Sequence, residues 1–198
     1  MLHGREELFA QLPVTPGAVW LDLGAGTGRN GELFGERLKD FHQAMFVDLS
    51  PSLLEVAKRR IRDRDWKNAD TLHTDVTRLP HADASVDLVT FTYSLTMIPD
   101  WFAAVREAHR VLRPGGTLGV VDFYVARKYP ASGRTQHSFF TRSFWPVWFS
   151  MDNVHPSADH LPYLTANFTP QYIAEHRGKL PWLPFIRAPY YQFVGKKA

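Results

Sequence analysis

The sequence predicts an α/β protein built on a doubly wound, mostly parallel sheet of seven strands. Three observations carry that prediction. Short apolar runs alternate with helical stretches from residue 18 to residue 125, the first run empties into a glycine-rich loop, and acidic residues stand where later runs end.

The first run, Ala18-Val19-Trp20-Leu21-Asp22-Leu23, is mostly apolar, as a strand covered on both faces must be. A helix is expected from about Arg29 to Lys39 and a second strand from Ala44 to Asp48. Ser50 then offers an N-cap and Pro51 an N1 residue, while Leu53, Leu54, Val56 and Ala57 make one apolar helix face. Thr71 to Thr74 is a weaker third strand and Val86 to Phe91 a fourth, followed by a helix from about Pro99 to Leu112. Pro114-Gly115-Gly116 reads as the turn into a fifth strand, Thr117 to Tyr124. Beyond residue 125 the rhythm changes. An aromatic helix interrupted by Pro146 is expected over Phe139–Phe149 and another over His160–Phe168. Strands at Tyr172–Leu180 and Tyr190–Lys196 are too close in sequence for a parallel crossover and should pair antiparallel.

Composition narrows the function. The 198 residues are 44% hydrophobic and 22% charged, which fits a globular chain and not a disordered one. There is no cysteine, so thiol nucleophiles, disulfide frameworks and cysteine-ligated metals are excluded. No apolar run approaches the roughly 18 residues of a spanning helix, and the first residues lack a signal-peptide stretch. The expectation is a cytoplasmic protein, able at most to sit peripherally on the inner membrane surface. Residues 122–198 carry a net charge of +5 and hold 17 of the 27 aromatic residues, a composition suited either to an anionic surface or to an inward-packed tail. The basic run Lys58-Arg59-Arg60-Ile61-Arg62 is interleaved with acids and suits the end of a helix, not a nucleic acid. His155 and His160, five apart with Pro156 between, make no metal site, and none is expected elsewhere.

The loop Asp22-Leu23-Gly24-Ala25-Gly26-Thr27-Gly28 leaves the first strand where open α/β sheets bind ligands. A dinucleotide fingerprint would need a glycine at position 29, which is Arg29, and a triphosphate loop would need a closing Lys-Ser/Thr. The loop resembles motif I of the class I S-adenosylmethionine-dependent methyltransferases. That resemblance continues through Asp48, Asp75 and Leu112-Arg113-Pro114-Gly115-Gly116 and covers about residues 18–125. It implies a Rossmann-like sheet of order 3-2-1-4-5-7-6 with the last strand antiparallel. It also implies one domain over 1–198: a cofactor-binding core at 18–125, an aromatic substrate or lid insertion at 126–170 and a closing strand pair at 171–198. Gly24, Ala25, Gly26 and Gly28 would lie against the cofactor. Asp22 would orient the loop and, directly or through water, the cofactor's ammonium. Asp48 would accept the ribose hydroxyls and Asp75 the adenine amino proton, with Leu49 and Val76 against the ring. Related chains carry an N-terminal helix that closes over the cofactor, whereas here only Leu2-His3-Gly4-Arg5-Glu6-Glu7 precedes the approach to the first strand.

Phe91-Thr92-Tyr93-Ser94-Leu95-Thr96-Met97-Ile98 lacks both the Asn/Asp-Pro-Pro-aromatic sequence of nucleic-acid amine methyltransferases and the glutamate pair of protein arginine methyltransferases, which points to a small molecule or lipid headgroup. Tyr93–Pro99, Gly119–Val125, Phe144-Trp145, Asp152-Asn153, Asp159–Leu164 and Ala188-Pro189-Tyr190-Tyr191 are similar to the N-methyltransferases of betaine-lipid synthesis, which trimethylate diacylglyceryl-homoserine. This resemblance implies a lipid amine as the acceptor. Phosphatidylethanolamine, a soluble amine, or a non-catalytic cofactor-binding module are the alternatives, and the oligomeric state stays open. Tyr93 would line the transfer site, with Tyr124, Trp145 and Trp148 completing an aromatic cage. His155 or His160 would relay the proton, and Arg142 would hold the substrate carboxylate.

Overall fold

The computed structural model describes residues 3–180 and 183–198. Its strands are β1 (Val19–Leu23), β2 (Gln43–Asp48), β3 (Ala69–His73), β4 (Val86–Thr92), β5 (Leu112–Phe123), β6 (Thr169–Leu180) and β7 (Leu183–Lys196). They form one sheet in the order β3-β2-β1-β4-β5-β7-β6. The first five strands are parallel and β7 is antiparallel to both neighbours, as the resemblance implies. The winding direction reverses between β1 and β4, which opens a crevice above their carboxyl ends.

Strand alternation sorts the core onto two faces. Leu21, Leu23, Val89, Phe91, Leu118 and Val120 pack against α4 (Trp101–Val111) and α6 (His160–Asn167). Trp20, Phe46, Leu88, Val121 and Phe123 face α1 (Arg5–Gln11), α2 (Gly31–Phe34) and α5 (Phe139–Ser150). Trp20 is fully buried among the rings of Phe9, Phe34, Phe41 and Phe46, and its indole N–H is satisfied by Thr90 Oγ1 at 2.9 Å. The capped helix predicted at Ser50 is α3 (Pro51–Asp63), with Ser50 Oγ accepting from the Leu53 N–H.

The structure corrects four expectations. The helix expected from Arg29 to Lys39 is a single α-turn followed by a 3-10 segment at Gly35–Asp40, because Gly35 takes a left-handed φ of +55° that no regular helix contains. Pro114-Gly115-Gly116 lies inside β5 as a bulge: the β4 register shifts between Val86 and Leu88, and Gly115 and Gly116 bond to Lys197 instead. Residues 5–11, too short to read as periodic, form α1, which buries Leu8 and Phe9. Pro146 does not break α5, which begins at Ser138, its N-cap.

Candidate active site

The carboxyl ends of β1, β2 and β4 build the site. Gly24 leaves β1 with φ +71°, and a Cβ placed there would lie 2.5 Å from Ser94 Cβ. Only glycine fits, because Ser94 is held against β1 by its hydroxyl, which donates to Leu23 O at 2.9 Å. The Gly24 and Ala25 N–H groups both end on Val47 O, tying the loop to β2. Gly26 (φ +55°) is open on its Cβ side, with no side-chain atom nearer than Leu53 at 4.0 Å.

Asp22 is completely buried. Its oxygens accept from Asn30 Nδ2 and Thr90 Oγ1, each at 2.8 Å, and Asn30 also donates to Thr92 at 2.6 Å. Burial pushes its carboxyl up to about 6 despite those two hydrogen bonds. The carboxylate thereby ties Asn30, just after the loop, to Thr90 of β4. Asp48 is more accessible. Its Oδ2 accepts from the Gly26 N–H at 2.7 Å and its Oδ1 from the Ser50 N–H at 2.9 Å, so each oxygen keeps a free lone pair. Leu49 beside it is 67% exposed, an apolar side chain left without cover at the strand end. Asp75 is exposed and accepts from the Thr77 N–H at 2.9 Å. Val76, expected to lie on an adenine ring, is buried with Leu79 in the core.

Tyr93, the residue after β4, has a left-handed φ of +55°, a strained state for a residue with a Cβ. Burial raises its phenol well above the ordinary value, so it stays a donor, and it gives its proton to His3 O at 2.6 Å. A cation already faces its ring: the Arg5 guanidinium carbon lies 5.5 Å from the centroid. Asp122, fully buried, holds the following loop through the Thr96 backbone at 3.2 Å and hydroxyl at 2.7 Å.

The aromatic cage is differently composed. Phe123, not Tyr124, neighbours Tyr93, with centroids 4.7 Å apart, because adjacent positions along β5 face opposite sides of the sheet. Phe123 stacks on Phe149 at 4.5 Å, and Phe149 on Trp145 at 5.2 Å, so Trp145 does join that face. Tyr124 lies on the other side, lining a separate pocket of ≈220 Å³ with Arg134 and Glu175. Trp148 points outward, stacked on Phe144, and Arg142 is half-buried with its Nε unpartnered. His160 is corrected outright: it is fully buried against Trp101 and Tyr191, both ring nitrogens lack partners, and burial pushes it down to about 3, so it accepts no proton near neutrality. His155 is exposed, and its backbone N–H ties the segment to Thr96 O at 2.7 Å. Asn30, Thr90, Ser94 and Arg5 escaped the sequence reading because each matters only through a contact across the fold. Among the described residues no group of three or more His, Cys, Asp or Glu is placed to hold a metal.

A family model described as a methyltransferase domain matches residues 21–120. The chain belongs to this methyltransferase family. The methyltransferase is 30% identical over 118 residues to the demethylmenaquinone methyltransferase of Listeria welshimeri, which covers 60% of this chain and 50% of that protein. The chain thus spans about half the length of the curated relatives it matches. A provisionally assigned methyltransferase from Bacillus halodurans has the same fold, with a TM-score of 0.80 at 17% identity and 98% of both chains covered. The geranyl diphosphate C-methyltransferase of Streptomyces coelicolor, solved with S-adenosyl-L-homocysteine, gives 0.76 at 16% identity, covering 98% of this chain and 79% of that one. The chain therefore carries a methyltransferase domain on a fold that a geranyl diphosphate methyltransferase solved with S-adenosylmethionine shares, at a TM-score of 0.76 and 20% identity, covering 98% of this chain and 84% of that one.

Proposed function

We propose that this methyltransferase N-methylates the headgroup amine of a membrane lipid of the diacylglyceryl-homoserine kind, working at the bilayer surface. One observation carries the reading: a continuous series of rings links the strained Tyr93 to an exposed aromatic face. From Tyr93 it runs through Phe123, Phe149 and Trp145 to Phe144, which stacks between Phe140 at 5.2 Å and Trp148 at 5.6 Å. Phe139, Phe140, Val147, Trp148 and Met151 of α5 and its C-cap are exposed, and Lys128, Arg134 and Arg142 lie on α5 or on the segment leading to it. Aromatic side chains favour the headgroup region and cations favour anionic lipid, each Lys or Arg near the surface contributing about 1 kcal/mol. The buried side of α5 would then roof the transfer site while the outer side rests on the membrane. Among the described residues no helix is long and apolar enough to cross a membrane.

Bound at the glycine loop, S-adenosylmethionine would supply an electrophilic sulfonium methyl group. The chain's work is to place an amine lone pair in line with that methyl, keep water out and accept a proton. Asp48 would take the ribose hydroxyls, Leu49 the adenine face, and Gly26 the close approach of the backbone. Phe123, Phe149 and Trp145 would keep the acceptor site dry, which lowers an amine's pKa and frees its lone pair. His155, at the exposed mouth beside Thr96, is the remaining candidate for proton acceptor. Asp48→Ala should weaken S-adenosylhomocysteine binding by about 1–3 kcal/mol, the loss of charged hydrogen bonds; calorimetric titration giving an unchanged affinity would remove Asp48 from the site.

The demethylmenaquinone methylation named for the Listeria relative is a second reading. An apolar acceptor of that kind would share the α5 surface. Labelled methyl donor offered with vesicles containing diacylglyceryl-homoserine, phosphatidylethanolamine or demethylmenaquinone separates the two by product mass; methylation of the quinone alone rejects the amine reading. The surface itself is tested by cosedimentation with phosphatidylglycerol vesicles. Phe140→Ser with Trp148→Ser should reduce binding by about 10-fold or more, the loss of two interfacial aromatics, and binding equal to wild type would assign α5 to another role.

A further inference from the structure

We infer that Arg5 receives the carboxylate of the methyl donor's methionine portion and so acts as a built-in clamp on the cofactor. The inference rests on the glycine loop being the donor site. Arg5 reaches that site because the segment before it is fixed at three points. Gln192 Nε2, itself buried, donates to Gly4 O at 2.7 Å, the Tyr93 phenol donates to His3 O at 2.6 Å, and the Leu8 N–H closes the first turn of α1 on the same Gly4 O at 3.0 Å. Gly4 lies so close beneath Tyr190 that a Cβ there would be 2.5 Å from the ring, and its φ of +82° turns the chain inward. No residue but glycine makes that turn in that space.

The consequence is a guanidinium held over Tyr93, next in sequence to the Ser94 that abuts Gly24. Asp22, Arg29 and Asp122 are within electrostatic range of it. Yet the Asp22 oxygens already accept from Asn30 and Thr90, and Arg5 Nε is buried with no hydrogen-bond partner. A buried guanidinium N–H without an acceptor is costly, and its planar fork matches a carboxylate in two-point geometry. An amino-acid zwitterion beside the loop would meet the Asp22 charge with its ammonium end and the Arg5 and Arg29 charges with its carboxylate end.

The test compares two ligands by calorimetry. S-adenosylhomocysteine carries the amino-acid portion and 5′-methylthioadenosine lacks it. Arg5→Ala should weaken S-adenosylhomocysteine by about 30-fold or more, the scale of a lost charged hydrogen bond, and 5′-methylthioadenosine by less than about 3-fold. Arg5→Lys, which keeps charge and stem, should fall between wild type and Arg5→Ala for the first ligand only. Equal losses for both ligands would make Arg5 a structural prop for Tyr93, and no loss for either would place it outside the site; both overturn the inference. A wild-type chain that bound neither ligand would sink the glycine-loop reading itself, a result distinct from both.

Discussion

A Gly24→Ala chain should keep its fold and lose about 100-fold or more in affinity for S-adenosylhomocysteine, about 2.7 kcal/mol. Two costs combine. Alanine in the left-handed region costs about 1–2 kcal/mol, and the Gly24 φ is +71°. The new Cβ would stand 2.5 Å from Ser94 Cβ and 3.0 Å from the hydroxyl that secures Leu23 O, so either the loop or the start of the post-β4 segment must move. Both lie at the carboxyl edge of the sheet, where the loop backbone would approach the cofactor, so the loss should be larger in binding than in melting temperature. Adding Ser94→Gly removes the steric part and leaves the conformational part, so the double variant should recover some of the lost affinity. A Gly24→Ala chain that binds within about 3-fold of wild type would mean that the loop does not approach the cofactor closely.

The second large effect concerns pH and His160. Its imidazole is neutral and buried in the fold, with its pKa pushed down to about 3, whereas in the unfolded chain it titrates near 6.5. As pH falls below 6.5 the unfolded state takes up a proton that the native state refuses, so stability drains toward the folded pKa. At pH 5 the loss is about 2 kcal/mol relative to pH 8. Asp22 and Asp122 act in the opposite sense. Burial raises both to about 6 in the fold, so between pH 6 and their unfolded value of 3.8 the native state binds more protons and gains stability as pH falls. The His160 contribution is therefore read as a difference. The unfolding free energy of His160→Phe minus that of wild type, from urea titrations, should grow by about 2 kcal/mol between pH 7.5 and pH 5.0. A difference that stays constant over that range would mean that His160 is hydrated in the native state.

Periodicity and strand-end chemistry made the sheet and half of the site legible. Five apolar runs, a glycine loop and acids after two of them are local facts, and Asp48, Gly24 and Gly26 stand where those facts put them. The expectations that failed were those requiring knowledge of which way a side chain points. Tyr124 was grouped with Tyr93 in one aromatic cage, but the alternation of β5 sends it to the opposite face and leaves Phe123 in its place. His160 was a candidate proton relay at the start of a helix, but α6 packs it against Trp101 and Tyr191.

By itself the sequence determined that the chain folds as a wound α/β sheet with the glycine loop 24–28 and Asp48 at its carboxyl edge, because hydrophobic period, capping and glycine placement act within a few residues of one another. Only the tertiary structure decided that Asp22 bonds Asn30 and Thr90, that Tyr93 is held by the His3 carbonyl, and that Arg5 comes to rest over the Tyr93 ring. Those contacts join residues 8 to 90 positions apart in the chain, and they exist because burial forces each polar group to find whichever partner the packed sheet brings within reach.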